Sequence, residues 1–160
     1  MIILEGMDAT GKTTLIHKLA SEFNLPIIKS YKPKNMDDIK EFHAYAIMSP
    51  RTPLLDRHPA ISDLVYGPIC RGQTPSNIEL AIHCTENKFL VYCDPGYSAI
   101  LDTLNNEEQM VGVHTYSHEL YQSYHELMEQ LSPNFIYDWR NPRSLSALIT
   151  NLTHYLARKP

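Results

Sequence analysis

Apolar and polar positions along this chain change period several times. The apolar run Met1-Ile2-Ile3-Leu4 gives way to a stretch rich in glycine and threonine. Leu15-Ile16-His17-Lys18-Leu19-Ala20 then follows with its apolar residues at helical spacing. A continuous apolar run of this length reads as a buried strand, and apolar residues three and four apart read as an amphipathic helix. The same alternation continues to the end. Strands are predicted at 26–28, 53–56, 89–93 and 134–137, with helices at 36–48, 61–70, 75–86, 97–104, 115–131 and 143–157. Phe89-Leu90-Val91-Tyr92-Cys93 has no polar position and is expected at the centre of a sheet covered on both faces. Strands alternating with helices predict an α/β fold with five parallel strands and helices on both sides. Ligands in such sheets sit beyond the carboxyl ends of the strands, so Asp8, Asp56, Asp94 and Asp138 are expected along one rim.

The segment between the first strand and the first helix is Glu5-Gly6-Met7-Asp8-Ala9-Thr10-Gly11-Lys12-Thr13-Thr14. Gly6 to Thr13 fits G-x-x-x-x-G-K-[ST], and strand, glycine loop and helix follow in the order a phosphate-binding P-loop requires. Glycines let the backbone curl so that successive N–H groups point at a phosphate, and the helix beginning near Lys12 adds the positive end of its dipole. The bland alternative is a glycine-rich turn with no ligand. The flanking strand and helix favour a P-loop NTPase fold that holds a nucleoside triphosphate along Gly6 to Thr14. Lys12 is then expected to reach the β- and γ-phosphates, and the Thr13 hydroxyl to ligate Mg²⁺.

A second constellation, Asp56-Arg57-His58, directly follows the third strand. An acid there suits the second group that holds the metal beside Thr13, directly or through water. Arg57 offers a planar fork of donors for a phosphate. Ser62, Tyr66 and Arg71 follow on the next helical stretch. The competing reading makes Asp56 a helix cap and Arg57 its surface partner; the P-loop tips the choice towards a site.

Composition narrows the rest. A chain of 160 residues with 43% hydrophobic and 20% charged content reads as one domain, 1–160, able to bury a core. A net charge of −4 weighs against a nucleic-acid-binding surface, which needs massed Lys and Arg. No apolar run approaches the roughly 20 residues of a membrane span, and no leader precedes the first strand. Cys70, Cys84 and Cys93 lack metal-ligand spacing, and their odd number suits free thiols in a reducing cytoplasm. The eight histidines are scattered; His114 and His118, four apart, read as a solvated helix face.

Together these residues resemble a known family. Glu5-Gly6-Met7-Asp8 with Gly11-Lys12-Thr13-Thr14 resembles the thymidylate kinase loop E-G-x-D-x-x-G-K-T-T. Asp56-Arg57-His58 with Ser62, Tyr66, Arg71 and Gly72 resembles that family's D-R-[YH] segment, apart from one extra residue before the serine. Tyr92-Cys93-Asp94, Tyr124-His125-Glu126-Leu127, and Asp138 with Pro142 resemble its later motifs in order.

The resemblance implies transfer from ATP, with Mg²⁺, to the phosphate of a deoxynucleoside monophosphate such as dTMP. Asp8 would contact the acceptor's 3′-hydroxyl and help order the metal. Arg57 would grip the acceptor phosphate, and Arg71 would read a pyrimidine edge, with Ser62 and Tyr66 (and Tyr45) as further pocket residues. Arg140 and Asn141 would border the adenine. A homodimer is also implied.

One departure stands out: neither Ala9-Thr10 nor the short acidic lid expected at about 104–114 carries the arginine that such enzymes direct at the transferred phosphoryl group. Arg57, Arg140 or a partner subunit would have to supply it. Three other readings stay open: a deoxynucleoside kinase using an acid at Asp56 as base, a kinase acting on a modified base or an end in DNA, and a nucleotide-binding regulator without turnover.

Overall fold

A computed structural model describes residues 1–104 and 112–158. Five parallel strands form one sheet: β1 (Ile2–Glu5), β2 (Ile27–Lys29), β3 (Leu54–Asp56), β4 (Phe89–Cys93) and β5 (Phe135–Tyr137). Their order across the sheet is β2-β3-β1-β4-β5, which puts the strand leading into the glycine loop in the middle. Seven α-helices connect them: α1 (Lys12–Phe23), α2 (Met36–Ile47), α3 (Pro59–Tyr66), α4 (Ile78–Thr85), α5 (Tyr97–Leu104), α6 (Ser117–Leu131) and α7 (Ser144–Ala157).

Successive strand residues face opposite sides of a sheet, and β1, β3 and β4 each feed two cores. Ile2, Leu4, Leu54 and Val91 pack with Leu15 and Leu19 of α1 and Leu148 and Leu152 of α7. Ile3, Leu55, Leu90 and Tyr92 pack with Ile61 and Val65 of α3 and Leu120, Tyr124 and Leu127 of α6. That double burial is why the strands read as unbroken apolar runs. No described helix is long and apolar enough to cross a membrane.

Two predicted helices begin or end elsewhere than their periodicity suggested. The stretch expected at 61–70 starts at Pro59, stays α-helical to Tyr66 and then widens into a π-helical turn, Gly67–Arg71. Pro68 has no N–H to donate to the carbonyl four residues back, so the α ladder cannot continue through it. The stretch expected at 75–86 starts only at Ile78, because the side chain of Asn77 caps it by accepting the N–H of Leu80 at 2.8 Å. Residues 105–111, the greater part of the expected lid, lie outside the described residues.

Candidate active site

Two side chains, Thr10 and Lys12, and the loop's own backbone hold the segment between β1 and α1. Gly6 has φ +140°, and a Cβ there would stand 2.6 Å from the carbonyl oxygen of Cys93, so the central strand's neighbour approaches too closely for any side chain. The carbonyl of Met7 accepts the hydroxyl of buried Thr10 at 2.8 Å and also the ammonium of Lys12. Lys12 further donates to Thr10 Oγ1 at 3.1 Å. Burial lowers the Lys12 ammonium to about pH 8. Ala9 holds φ +63°, and Gly11, at φ +81°, caps α1 with no side chain bonded to its first turn. The first N–H groups of α1 are therefore open to an anion.

The loop floors a cavity of about 560 Å³. Asp8, Ala9, Thr10, Gly11, Lys12, Thr13 and Thr14 all line it, with Asp56 and Arg57 from the end of β3. The P-loop and Asp56-Arg57 constellations thus share one wall, as their chemistry required. Gly6 and Met7 are not lining residues; they shape the turn underneath. Four residues that the sequence reading did not single out for the site complete the cavity: Lys18, Thr103, Tyr137 and Trp139. Trp139 is the chain's one tryptophan, is 45% exposed, and sits against Gly11, where an added Cβ would be 3.1 Å from its ring.

Arg140 and Asn141, expected at the adenine, do not line this cavity. The Arg140 guanidinium turns back to Asp138, with Nη2 2.9 Å and Nε 3.0 Å from its carboxylate oxygens. That pairing holds the Asp138 carboxyl below its ordinary range. Asn141 accepts the N–H of Arg143 at 3.0 Å. The turn after β5 thus presents its indole to the loop and spends its polar groups on itself. Asp94 likewise accepts the N–H of Gly96 at 2.9 Å.

A second cavity, of about 300 Å³, lies on the other side of Asp8 and Arg57, which line both. Ser62, Tyr66 and Arg71 line it, together with Lys32 and Asp63. Arg57 is tightly held. Its Nη2 is 2.6 Å from Asp8 Oδ1, its Nη1 is 3.2 Å from the Tyr124 hydroxyl, and its guanidinium carbon lies 4.8 Å from the centre of the Tyr66 ring. Tyr66 donates to Asp8 Oδ2 at 3.0 Å. Arg71 pairs with Asp63, which is only 2% exposed and also accepts Thr74 Oγ1 at 2.5 Å. Ser62 uses its hydroxyl on the carbonyl of His58 at 3.2 Å. Tyr45, by contrast, is 65% exposed on α2 and lines neither cavity.

Behind Arg57 stands a support that the sequence did not announce. Glu5 is fully buried; it accepts the backbone N–H of His58 at 2.6 Å and the Tyr124 hydroxyl at 3.2 Å. Burial raises its carboxyl to about 7. His58 Nδ1 accepts the N–H of Ala60 at 3.1 Å, which leaves the ring proton on Nε2, 3.1 Å from His43 Nδ1. His43, His58 and Cys84 offer ligand atoms within 4.8 Å of one another. This tautomer aims a proton, and no lone pair, from His58 into the group, so it acts as a hydrogen-bond relay bracing α3. The motif letters E of E-G-x-D and H of D-R-H were the available signals for these supports.

No protein-family model matches the sequence, and no curated protein matches it. Solved structures do share its shape. A YorR protein from Bacillus subtilis, in complex with phosphorylated GDP, superposes with a TM-score of 0.78 at 20% identity, covering 99% of this chain and 98% of its own. Deoxyadenosine kinase from M. mycoides, with the products dCMP and a flexible dCDP, gives 0.65 at 13% identity, covering 96% and 98%. Shikimate kinase from Acinetobacter baumannii, in complex with shikimate, gives 0.57 at 15% identity, covering 99% and 93%. At these identities the likeness establishes the P-loop kinase fold.

Proposed function

We propose that this chain transfers the γ-phosphoryl group of ATP to the phosphate of a deoxynucleoside monophosphate, in the manner of a thymidylate kinase, with dTMP or a related pyrimidine as acceptor. The observation that carries the reading is the charge state of the second cavity. Arg57, Lys32 and Arg71 line it, while its carboxylates, Asp8 and Asp63, already accept hydrogen bonds from Arg57, Tyr66, Arg71 and Thr74. Such a pocket attracts an anion and offers no unengaged base. A monophosphate suits both properties, because its own oxygen is the nucleophile and needs no deprotonation at neutral pH.

The roles follow from position. The triphosphate lies in the larger cavity over the open N–H groups of α1. Lys12, now bonded to Met7 and Thr10 within its own loop, turns outward to the phosphate oxygens. The hard oxygen donors of Thr13 and Asp56 line the same cavity and fit Mg²⁺. Held there, the ion would supply positive charge to the triphosphate. Arg57, in the wall common to both cavities, holds the acceptor phosphate near the group to be transferred. Among the described residues lining the larger cavity it is the one arginine, and so it is our candidate for the role of the missing lid residue.

A deoxynucleoside kinase is the second reading, favoured by Asp56, whose carboxylate faces the larger cavity and carries no hydrogen bond from another described side chain. A panel of nucleosides, nucleoside monophosphates and short DNA, incubated with labelled ATP, separates the readings. Label is expected on a monophosphate. Label only on nucleosides or DNA overturns the proposal, and ATP binding with no labelled product points to a regulator. Arg57→Ala is expected to raise the acceptor KM roughly 10- to 100-fold, the worth of a charge-assisted hydrogen bond, and the ATP KM far less.

A further inference from the structure

The acceptor cavity does not close at its far end. A third cavity, of about 720 Å³, shares Lys32, Pro33, Asp63 and Arg71 with it and continues between the start of α2 and residues 73–75. The π-helical turn ends at Arg71, and Gly72 follows at φ +68° beside open space, where an added Cβ would meet nothing within 4 Å. A monophosphate held by Arg57 at one end of the acceptor cavity brings its base to the Asp63–Arg71 pair at the other. Beyond that pair lies a space more than twice as large.

The chemistry of the opening is one-sided. Both Asp63 oxygens are occupied, by Arg71 and by Thr74. The Asp38 carboxylate nearby accepts the backbone N–H of Lys34 at 2.7 Å. What remains on offer is the set of cationic donors on Arg71, Lys32 and Lys34, beside the amide of Gln73, which can donate or accept. A donor-lined, cationic extension selects a group that accepts hydrogen bonds and carries negative charge.

Resting on the monophosphate kinase reading, we infer that the acceptor is a pyrimidine deoxynucleoside monophosphate whose base bears an acidic substituent, which passes Asp63–Arg71 into this third cavity. A bare pyrimidine leaves the extension filled with water. An acidic substituent replaces that water with charge-assisted hydrogen bonds.

The test compares 5-carboxy-dUMP with dUMP, and 5-carboxy-dCMP with dCMP, as acceptors for the full chain with ATP and Mg²⁺. For at least one pair, kcat/KM is expected to be higher for the carboxylated nucleotide. Lys34→Glu is expected to lower the ratio of carboxylated to parent kcat/KM at least ten-fold. Ratios at or below one for both pairs overturn the inference while leaving the kinase reading intact, since the parents are still phosphorylated. Failure of every monophosphate to accept phosphate overturns both.

Discussion

The carboxylate of Glu5 accepts the backbone N–H of His58 at 2.6 Å, joining the end of β1 to the residue after Arg57 across 53 positions of sequence. Arg57 itself holds φ +69°, a conformation costly for a residue with a side chain. The bond on its next neighbour fixes that turn and aims the guanidinium at the site. Glu5→Ala strands a buried N–H and is expected to cost about 2–4 kcal/mol. Glu5→Gln keeps the acceptor and is expected to stay within about 1 kcal/mol of the parent.

These variants also carry a pH signature. Burial raises Glu5 from 4.5 to about 7, so between those values the folded state holds a proton that the unfolded chain has released. Stability from this group is complete below pH 4.5 and is lost as pH rises through 7. Chemical denaturation at a series of pH values is expected to show this decline in the parent and not in Glu5→Gln.

His58 and His43 work in the opposite direction. Burial lowers them to about 3 and about 4, whereas the unfolded chain takes up protons near 6.5. Their contribution is present above pH 6.5 and is lost as pH falls towards 4 and 3. His58→Asn supplies an oxygen for the Ala60 N–H and removes one titration. Its denaturation midpoint is expected to fall less steeply with acidification than the parent's. Above pH 4.5 this slope opposes that of Glu5, so the difference between variant and parent is the quantity to measure.

Trp139 gives the larger cavity its own reporter. Its indole lines that cavity beside Gly11, and the chain has no other tryptophan. On the proposed reading, titration with ATP is expected to change its emission, because a purine bound against the indole would replace water. Trp139→Ala is expected to weaken ATP binding by roughly 1–3 kcal/mol, the scale of base–aromatic stacking, with a smaller effect on acceptor KM.

Gly6 links the loop to the sheet. Gly6→Ala places a methyl group 2.6 Å from the Cys93 carbonyl oxygen at φ +140°. The variant is expected to lose about 2–4 kcal/mol in chemical denaturation and to bind ATP poorly, since the loop must lift to admit the methyl.

Much of the fold is legible in the sequence. Double burial makes β1 and β4 unbroken apolar runs, and a glycine-threonine stretch between strand and helix favours a phosphate-binding loop over a bare turn. The acceptor wall was legible only as residue types. The resemblance implies Arg71 as a reader of a pyrimidine edge; the structure pairs it with Asp63, eight positions earlier and across the change from α- to π-helix, a contact with no signal in the helical period. Arg140 and Asn141 stood for the turn after β5, while the residue that reaches the loop is Trp139. No periodicity distinguishes an indole that folds inward from one in solvent. Tyr124 reaches Glu5 from 119 positions away, a tertiary contact with no local signal.

Arg57 and Asp8 belong to the partition between the two cavities, and each satisfies the other across it. A guest in either chamber that draws the guanidinium towards itself loosens its hold on Asp8 and changes the charge felt next door. On the proposed reading, the two substrates would therefore sense each other through that ion pair. Their affinities measured separately will differ from those measured with both aboard, by the same factor in each direction.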